Sequence, residues 1–396
     1  MDNFKYINDS LGHAAGDKLL QSAARRLTAC VRSSDTVSRQ GGDEFVILLA
    51  EGSYETDAAV TADKIIAALG LPHSIAERDL HVTASIGISV YPADGQDAEM
   101  LIKSADIAMY EAKEKGRNTY QFFNKNMDII ATDRRSIEDH LRIALENHEF
   151  VLHYQPIVNL DSGMITGAEA LLRWTHPQWG VLPPARFVPI AEDSGLIVPI
   201  GRWVLREACT QAKRWIDAGL APVSIAVNIS AIEFRQPNFI DGVRSVLSDT
   251  GLDANRLQLE ITEGVLMRDA ESSTETLRDL KNLGVQLALD DFGTGYSSLS
   301  YLKRFPIDIL KIDQSFVHDI GSVGDDGVIV SAVIALGNSL NKRVVSEGLE
   351  TQVQLEFLKT RHCEEGQGYL FSRPVIAAQF AGLISGGKLN HHARVG

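Results

Sequence analysis

Acidic and amide side chains follow several hydrophobic segments in the second half of the chain, at positions where a buried strand has no structural need for them. Together with one lysine, the set comprises Glu169, Asn228, Glu260, Asp290, Asp291, Lys311 and Glu347. If the fold brings these carboxylates to one point, they repel one another and raise each other's pKa values. A divalent cation relieves that repulsion, and Mg²⁺ and Mn²⁺ prefer oxygen ligands of this kind.

The adjacent pair Asp290 and Asp291 predicts two metal ions with one carboxylate bridging them. Two ions about 3.5–4 Å apart can clamp both the attacking and the leaving oxygen of a phosphodiester during hydrolysis. The alternative for any single acid is a solvated loop residue or a salt-bridge partner. Their recurrence after successive hydrophobic segments favours one shared site.

These side chains meet only if the segments that carry them end on the same side of one sheet. The predicted strands, which alternate with helices, are FVLHYQPIV, ITGAEALLRW, SIAVNIS, LQLEIT, VQLALDDFG, ILKID, RVVSEGLE and a short piece near GQGYLF. Eight such units in roughly 250 residues predict a (β/α)₈ barrel, whose strand ends converge on one face. A doubly wound open sheet is the alternative, because the rhythm of the sequence does not show closure.

The first third of the chain predicts an α+β or α/β domain. A polar, turn-prone stretch from Asp2 to His13 predicts a loop. A helix in KLLQSAARRLTACVR, a hairpin in TVSRQGGDEFVILLA and a helix near 57–69 follow. The alternating segment HVTASIGISV predicts a strand, and a helix near 97–115 and a strand in TYQFF complete the domain.

The charged, helically periodic segment after Phe123 predicts a connecting helix. We therefore expect a first domain at 1–123, a connecting helix at 124–134 and a second domain at 135–396.

The stretch GAEALLRW contains Glu169-Ala170-Leu171, and residues 135–390 resemble an EAL domain, the cyclic di-GMP phosphodiesterase family. The motifs YQPIV, EALLRW, VNIS, LEITE, DDFGTGYSSL, LKID, VVSEGLE and QGYLFSRP occur in order. The resemblance implies a TIM-like (β/α)₈ barrel whose first strand is antiparallel to the others. It also implies two Mg²⁺ or Mn²⁺ ions, a homodimer through this domain, and hydrolysis of cyclic di-GMP to linear pGpG.

The same resemblance assigns roles to individual residues. Glu169, Asn228, Glu260 and Asp290 are the implied ligands of one metal ion, and Asp290, Asp291 and Glu347 those of the other. Lys311 is the implied holder of the attacking water, so Lys311, Glu347 and Glu169 are the expected catalytic residues. The implied substrate pocket contains Gln155, Leu171, Arg173 and Gln367. Glu263 is expected to anchor the loop DFGTGYSS, and Glu350 to support Glu347 from one turn further on. Ser346 and Leu349 stand where the family usually has Ala and Val.

The hairpin RQGGDEF resembles that of a GGDEF domain, the diguanylate cyclase family. The resemblance implies a GTP site formed by Asn8, Asp17, Gly41, Gly42, Asp43, Glu44, Lys113 and Arg117. In that site Asn8 and Asp17 hold the guanine, Asp43 or Glu44 holds Mg²⁺, and Lys113 and Arg117, four apart on a helix end, contact the triphosphate. Arg32 and Asp35 match the family's inhibitory cyclic di-GMP site. The alternatives are an ordinary glycine turn, solvated helix-end charges and a local Arg–Asp pair.

Cyclases of this family carry an Asp-x-Asp motif at the end of a strand that precedes Asp2. Asp2 matches the second aspartate of that motif, and the first, a metal ligand, falls before Met1. We therefore expect this chain to be a poor cyclase or none, with a first domain that binds GTP or regulates the second.

Composition argues against several other classes of protein. The net charge of -14 argues against non-specific nucleic-acid binding, which depends on lysine and arginine. Three scattered cysteines show neither a disulfide framework nor zinc spacing, which suits a reducing cytoplasm. No secretion signal is evident, and the chain is expected to be cytoplasmic or the cytoplasmic part of a longer membrane-bound sensor.

Two other functions stay open. One is an inactive cyclic di-GMP receptor, and the other is a bifunctional cyclase and phosphodiesterase in a longer parent chain. The presence of every implied metal ligand favours the phosphodiesterase.

Overall fold

The computed structural model describes residues 1–2, 4–50, 54–75, 78–267, 269–293, 299–320 and 327–389. The chain divides into two compact units, Met1–Ser136 and Ile137–Gly396. None of the helices in the described ranges combines the length and the apolar character that a membrane span requires.

The described part of the first unit contains four helices, the beginning of a fifth helix and three pairs of strands. Its helices are α1 (Phe4–Leu11), α2 (His13–Cys30), α3 (Tyr54–Gly70) and α4 (Ala98–Glu114). Its strands are β1 (Thr36–Gly41), β2 (Glu44–Leu48), β3 (His73–Ile75), β4 (Arg78–Leu80), β5 (Ile86–Ile88) and β6 (Tyr120–Phe122). The pairs β1–β2 and β3–β4 are antiparallel, and β5–β6 is parallel. The predicted hairpin is therefore present, and it turns at Gly42, whose φ of 50° lies in the left-handed region.

The predicted loop from Asp2 to His13 is wrong, because most of it forms α1. Phe4 is 8% exposed and packs with Leu19 and Leu20 of α2, so one apolar contact outweighs the turn-forming residues around it. The strand predicted in HVTASIGISV is confirmed only at β5. Before β5, the hydroxyls of Thr83 and Ser85 donate to the Asp2 carboxylate at 2.7 and 2.8 Å.

Helix α5 (Lys125–Ala144) extends well beyond residue 134, where the connecting helix was expected to end. Its last two turns contribute Ile137, Leu141 and Ala144, each at most 1% exposed, to the core of the second unit. This apolar burial accounts for the longer helix, because the segment packs as part of the second unit.

The second unit alternates strands and helices, as predicted. Its strands are β7 (Phe150–Asn159), β8 (Ile165–His176), β9 (Gly180–Leu182), β10 (Ser224–Asn228), β11 (Leu257–Thr262), β12 (Gln286–Phe292), β13 (Ile309–Ile312), β14 (Arg343–Ser346), β15 (Glu365–Gly366) and β16 (Val375–Ile376). Its helices are α6 (Pro184–Asp193), α7 (Ile197–Asp217), α8 (Ala231–Phe234), α9 (Phe239–Thr250), α10 (Glu263–Met267), α11 (Ala270–Asn282), α12 (Leu299–Arg304), α13 (Gln314–His318), α14 (Val328–Ser339), α15 (Gln352–Thr360) and α16 (Ala377–Gly386).

Eight of these strands close into a barrel in the order β7, β8, β10, β11, β12, β13, β14, β15 and back to β7. Neighbours from β8 to β15 are parallel, whereas β7 is antiparallel to both β8 and β15. The predicted (β/α)₈ barrel with an antiparallel first strand is confirmed, and closure excludes the open sheet.

The barrel interior begins with a small apolar layer formed by Ile157, Ala226, Ala288, Ile309 and Val345. Side chains of a strand alternate between faces, so a residue two positions further along points the same way. Four residues of the predicted site each follow a member of this layer by two positions: Asn228, Asp290, Lys311 and Glu347. The polar site is therefore the next layer of the same interior.

Ser346 lies on β14 and is 0% exposed, and its hydroxyl has no hydrogen-bond partner among the described residues. A buried polar group without a partner costs about 1–3 kcal/mol. We expect Ser346→Ala to raise the free energy of unfolding by about 1 kcal/mol, measured by urea titration. Ser372→Ala is the control, since that hydroxyl donates to the Arg373 carbonyl at 2.7 Å and its loss should destabilise. A lower stability of Ser346→Ala would contradict the prediction.

Candidate metal and active site

Lys311 lies at the centre of the polar layer and is 1% exposed. Its Nζ lies 2.7 Å from Glu260 Oε2, 2.6 Å from Glu347 Oε1 and 3.2 Å from Asp290 Oδ1. The three acids come from β11, from β12 and from the residue after β14, and the lysine comes from β13. One ammonium thus faces three carboxylates, which leaves an excess of negative charge in a buried place.

The pKa values reflect this excess. Burial raises the pKa of Glu260 well above its ordinary value, and Lys311 opposes the shift while Glu169 and Asp290 add to it. Burial raises the pKa of Glu347 to about 8, again with Lys311 opposing. Burial alone would lower the pKa of Lys311, but the surrounding carboxylates outweigh it and hold that pKa well above its usual range. The lysine is therefore charged, and the acids need further positive charge.

A second group of contacts orients Glu169 of β8. Asn228 Nδ2 donates to Glu169 Oε1 at 2.6 Å, and Gln367 Nε2 donates to the other carboxylate oxygen. Gln367 Nε2 also donates to Gln155 Oε1 at 3.0 Å, and Gln155 Nε2 donates to the Ser372 carbonyl at 3.1 Å. Gln367 Oε1 is buried without a hydrogen-bond partner among the described residues, so it can accept one from a molecule in the site.

The adjacent aspartates reach the site through a local irregularity of β12. Neighbouring residues of a regular strand point to opposite faces. Here Asp291 has a φ of 53°, and the register with β13 shifts between Leu289 and Phe292. Each of Asp290, Asp291 and Glu347 offers a carboxylate oxygen, and these oxygens lie within 4.8 Å of one another. Burial and the neighbouring Asp290 raise the pKa of Asp291 to about 6.

This set of donors fits a hard divalent cation. All the candidate ligand atoms are carboxylate or amide oxygens, the type that Mg²⁺ and Mn²⁺ prefer. The clustered acids carry more charge than Lys311 neutralises, and a divalent ion would supply the balance.

The remaining predicted residues lie around this centre. Leu171 and Arg173 follow Glu169 along β8 at two-residue steps, so their side chains share its face. Arg173 is half-buried; burial lowers its pKa, and Tyr369 and Glu169 oppose that shift. Glu263 is 3% exposed, and its carboxylate accepts from the Gly293 N–H at 3.4 Å. That contact supports an anchoring role, although residues 294–298 of the loop lie outside the described residues.

The expected position of Glu350 is wrong. Residues 347–350 form no helix, and α15 begins at Gln352, so Glu350 does not stand one helical turn from Glu347. Its side chain is exposed, while its backbone N–H donates to Gln354 Oε1 at 2.8 Å. The structure therefore shows Glu350 as part of the turn that starts α15.

A family model described as EAL domain matches residues 138–374. The chain belongs to the EAL-domain family. A second model, described as diguanylate cyclase, GGDEF domain, matches residues 1–119, so a GGDEF domain precedes the EAL domain.

Two curated relatives cover both domains of the chain. The bifunctional diguanylate cyclase/cyclic di-GMP phosphodiesterase MucR of Pseudomonas aeruginosa is 47% identical over 385 residues, which are 97% of this chain and 56% of the relative. The cyclic di-GMP phosphodiesterase PdeR of Escherichia coli is 38% identical over 380 residues, which are 96% of this chain and 57% of the relative. The chain spans about half the length of the curated relatives it matches.

The EAL domain also resembles a solved structure, the PaMucR phosphodiesterase in complex with c-di-GMP. The two are 49% identical with a TM-score of 0.61, and the match covers 62% of this chain and 99% of that one.

In the GGDEF domain the structure differs from the expected end of helix α4. Helix α4 ends at Glu114, and the chain then turns through Gly116, Arg117 and Asn118, all with positive φ. Lys113 and Arg117 are therefore not four apart on one helix end, and that expectation is wrong. Asn8 lies on α1 with its buried Oδ1 unpartnered among the described residues, and Asp17 is an exposed residue of α2.

The β1–β2 hairpin presents the GGDEF motif at the surface. Gly41, Gly42 and Glu44 are exposed, and the Gly42 carbonyl accepts from Arg39 Nε at 3.0 Å. Asp43 is partly buried in the same turn.

Arg32 and Asp35 line one small surface pocket with Asp57 and Lys64. Asp35 accepts from the backbone N–H of Arg32 at 2.8 Å and from that of Ala50 at 3.1 Å. The Arg32 guanidinium lies 3.7 Å from the Asp57 carboxylate. Both predicted residues of the inhibitory site therefore meet at one surface.

Proposed function

We propose that the EAL domain hydrolyses cyclic di-GMP by opening one phosphodiester bond, which releases linear pGpG. The observation that carries this proposal is the convergence of six oxygen-donor residues around one buried lysine at a single end of the barrel. Relatives named as cyclic di-GMP phosphodiesterases, and a similar structure named as a c-di-GMP complex, support the choice of substrate.

The proposed site holds two divalent cations, Mg²⁺ or Mn²⁺. Glu169, Asn228, Glu260 and Asp290 would hold one, and Asp290, Asp291 and Glu347 the other. When bound, such ions neutralise the charge of the phosphate and lower the pKa of a bound water.

The chain's own side chains then have distinct tasks. Lys311 forms ion pairs with three carboxylates at 2.6–3.2 Å, and it is the proposed holder of the attacking water. Gln367 and Asn228 fix the direction of Glu169 by donating to both of its oxygens. Arg173, on the same face of β8, would bind a substrate phosphate through charge-assisted hydrogen bonds. Leu171 and Gln155 complete the pocket wall.

The test is to incubate the purified chain with cyclic di-GMP and Mg²⁺ or Mn²⁺ and to follow pGpG by chromatography. We expect product that disappears when the metal is chelated. Binding of cyclic di-GMP without any pGpG in the presence of metal would favour the receptor instead.

For the GGDEF domain we propose GTP binding and regulation of the EAL domain, with Arg32 and Asp35 as a site for cyclic di-GMP. Asn8, Asp17, Asp43, Glu44, Lys113 and Arg117 are the proposed GTP contacts. A homodimer through the EAL domain stays a prediction.

We expect this chain to make no detectable cyclic di-GMP from GTP and Mg²⁺, because among the described strands β1 and β2 pair only with each other, and the Asp2 carboxylate accepts hydrogen bonds from Thr83 and Ser85. Product should be sought with Glu169→Ala, so that hydrolysis does not remove it. Steady synthesis of cyclic di-GMP by that variant would show that the GGDEF domain is a cyclase.

A further inference from the structure

Glu233 is a buried acid of the EAL domain that the proposed chemistry does not use. It lies on the short helix α8 and is 7% exposed. Its Oε2 accepts from Ser230 Oγ at 2.6 Å and from the Ser230 backbone N–H at 3.1 Å, while Ser230 Oγ accepts from the Glu233 N–H at 3.2 Å. This reciprocal arrangement is a capping box, which fixes the first turn of a helix.

The capping box begins two residues after Asn228, which ends β10. The intervening Ile229 donates its N–H to the Glu260 carbonyl at 2.9 Å. Both residues that follow Asn228 are thus held in place. Ile229 is bound to β11, and Ser230 is bound to Glu233. Glu233 therefore fixes the turn that directly follows Asn228.

Helix α7 leaves space for the Glu233 carboxyl group at Gly201. A Cβ atom at Gly201 would lie 1.6 Å from Glu233 Oε1, so only glycine at that position leaves room for the carboxyl group. The nearby acid Glu192 of α6 adds to the rise in the pKa of Glu233. A buried carboxyl group beside another acid is easier to hold when it is neutral.

We propose that Glu233 is a positioning residue for Asn228: its capping box holds the turn after β10, and thereby Asn228, where a metal ion can be bound. This rests on the proposed function in one respect, the assignment of Asn228 as a metal ligand. Residues that orient a ligand typically change metal affinity by about 10–100-fold when they are removed.

The charge state of Glu233 gives the proposal a pH dependence. Burial raises its pKa to about 7, with the Ser230 hydrogen bonds opposing the shift, compared with 4.5 in the unfolded chain. The folded state therefore holds the proton more tightly, and the stability this provides is lost as the pH rises from 4.5 through about 7. Above that range the Glu233 carboxylate is charged beside Gly201 of α7, and the turn that follows Asn228 should loosen.

The experiment measures Mn²⁺ binding by calorimetry, without substrate, in wild type, Glu233→Ala and Glu233→Gln between pH 6 and 8. Glu233→Ala should bind Mn²⁺ about tenfold more weakly. Glutamine keeps an acceptor for Ser230 and carries no charge, so Glu233→Gln should match wild type at pH 6 and exceed it at pH 8. Hydrogen exchange of residues 228–234 should quicken with pH in wild type and stay constant in Glu233→Gln.

Asp253→Ala is the matched control, because Asp253 caps a turn before β11, at the opposite end of the barrel, by accepting from the Asn255 N–H at 3.3 Å. If Glu233→Ala binds Mn²⁺ like Asp253→Ala at equal loss of stability, Glu233 is only a helix cap and the proposal fails. The proposal also fails if the Mn²⁺ affinity of wild type and that of Glu233→Gln change with pH in the same way, or if wild type binds no Mn²⁺. Failure of the proposed function looks different: Mn²⁺ binding would keep its dependence on Glu233, but no pGpG would form.

Discussion

Replacing Lys311 with methionine is expected to abolish hydrolysis of cyclic di-GMP and to make the stability of the EAL domain depend on added metal. In wild type one buried ammonium faces three carboxylates at 2.6–3.2 Å. Methionine has a similar length but no charge, so the acids would face one another without a counter-ion. Removing one partner of a buried ion pair destabilises a protein by about 3–5 kcal/mol.

The measurement is thermal unfolding of Lys311→Met with and without Mn²⁺, beside a hydrolysis assay. Without metal the variant should melt well below wild type, and Mn²⁺ should restore more of the melting temperature than it adds to wild type, because the ions bind the folded state. Cyclic di-GMP should still bind in calorimetry. Lys213→Met removes an exposed ion pair with Asp217 on α7 and should change little. An unaltered rate of hydrolysis, or a melting temperature that does not change with added Mn²⁺, would contradict the proposed role of Lys311 in the site.

Glu169→Gln is expected to reduce hydrolysis by more than about a hundredfold, since even partners that only orient a metal ligand are worth about 10–100-fold. Each oxygen of the Glu169 carboxylate accepts one side-chain amide N–H, from Asn228 and from Gln367. The variant replaces one of these oxygens with an NH₂ group, which then faces another donor. The site would lose a ligand oxygen and a hydrogen bond together.

The prediction is checked by measuring the rate of pGpG formation and the affinity for Mn²⁺. Both should be lower in Glu169→Gln than in wild type. Glu275→Gln, an exposed position of α11, makes the same chemical change away from the site and should behave as wild type. If Glu169→Gln kept the affinity for Mn²⁺ and lost only the rate, Glu169 would act on the substrate and not on the metal.

The barrel and most of its site are readable from the sequence because both depend on local patterns. Several strands are short apolar runs, and Asn228, Asp290 and Lys311 lie near the ends of such runs. In the structure each stands two residues after a residue of the inner apolar layer. A two-residue period is a property of any strand, so it places polar residues on the inner face without knowledge of the fold.

What could not be predicted depends on contacts between distant segments or on single backbone angles. Asp291 reaches the site because its φ is 53°, and no pattern of residue types shows that angle. Helix α1 forms against α2 through Phe4, whereas its sequence is rich in turn-forming residues. Glu350 and Arg117 were placed by assuming that a helix extended to them, and both lie outside one.

Glu233 shows the same limit. The space for its buried carboxyl group depends on Gly201 of α7, which lies 32 residues earlier in the chain. The pattern Ser-x-x-Glu at 230–233 is typical of a capping box, but it does not show that the glutamate is buried.

The hydrogen bond between Gln367 and Gln155 joins residues 212 positions apart, across the seam where the barrel closes. Gln367 also donates to Glu169, so this carboxylate is fully oriented only when β15 and the residue that follows it have been added. A chain still on the ribosome therefore lacks an ordered site until residue 367 has left the exit tunnel. Catalytic competence should consequently arise late and abruptly during synthesis, and a barrel released without its final segment would retain most of its acids but hold Glu169 loosely.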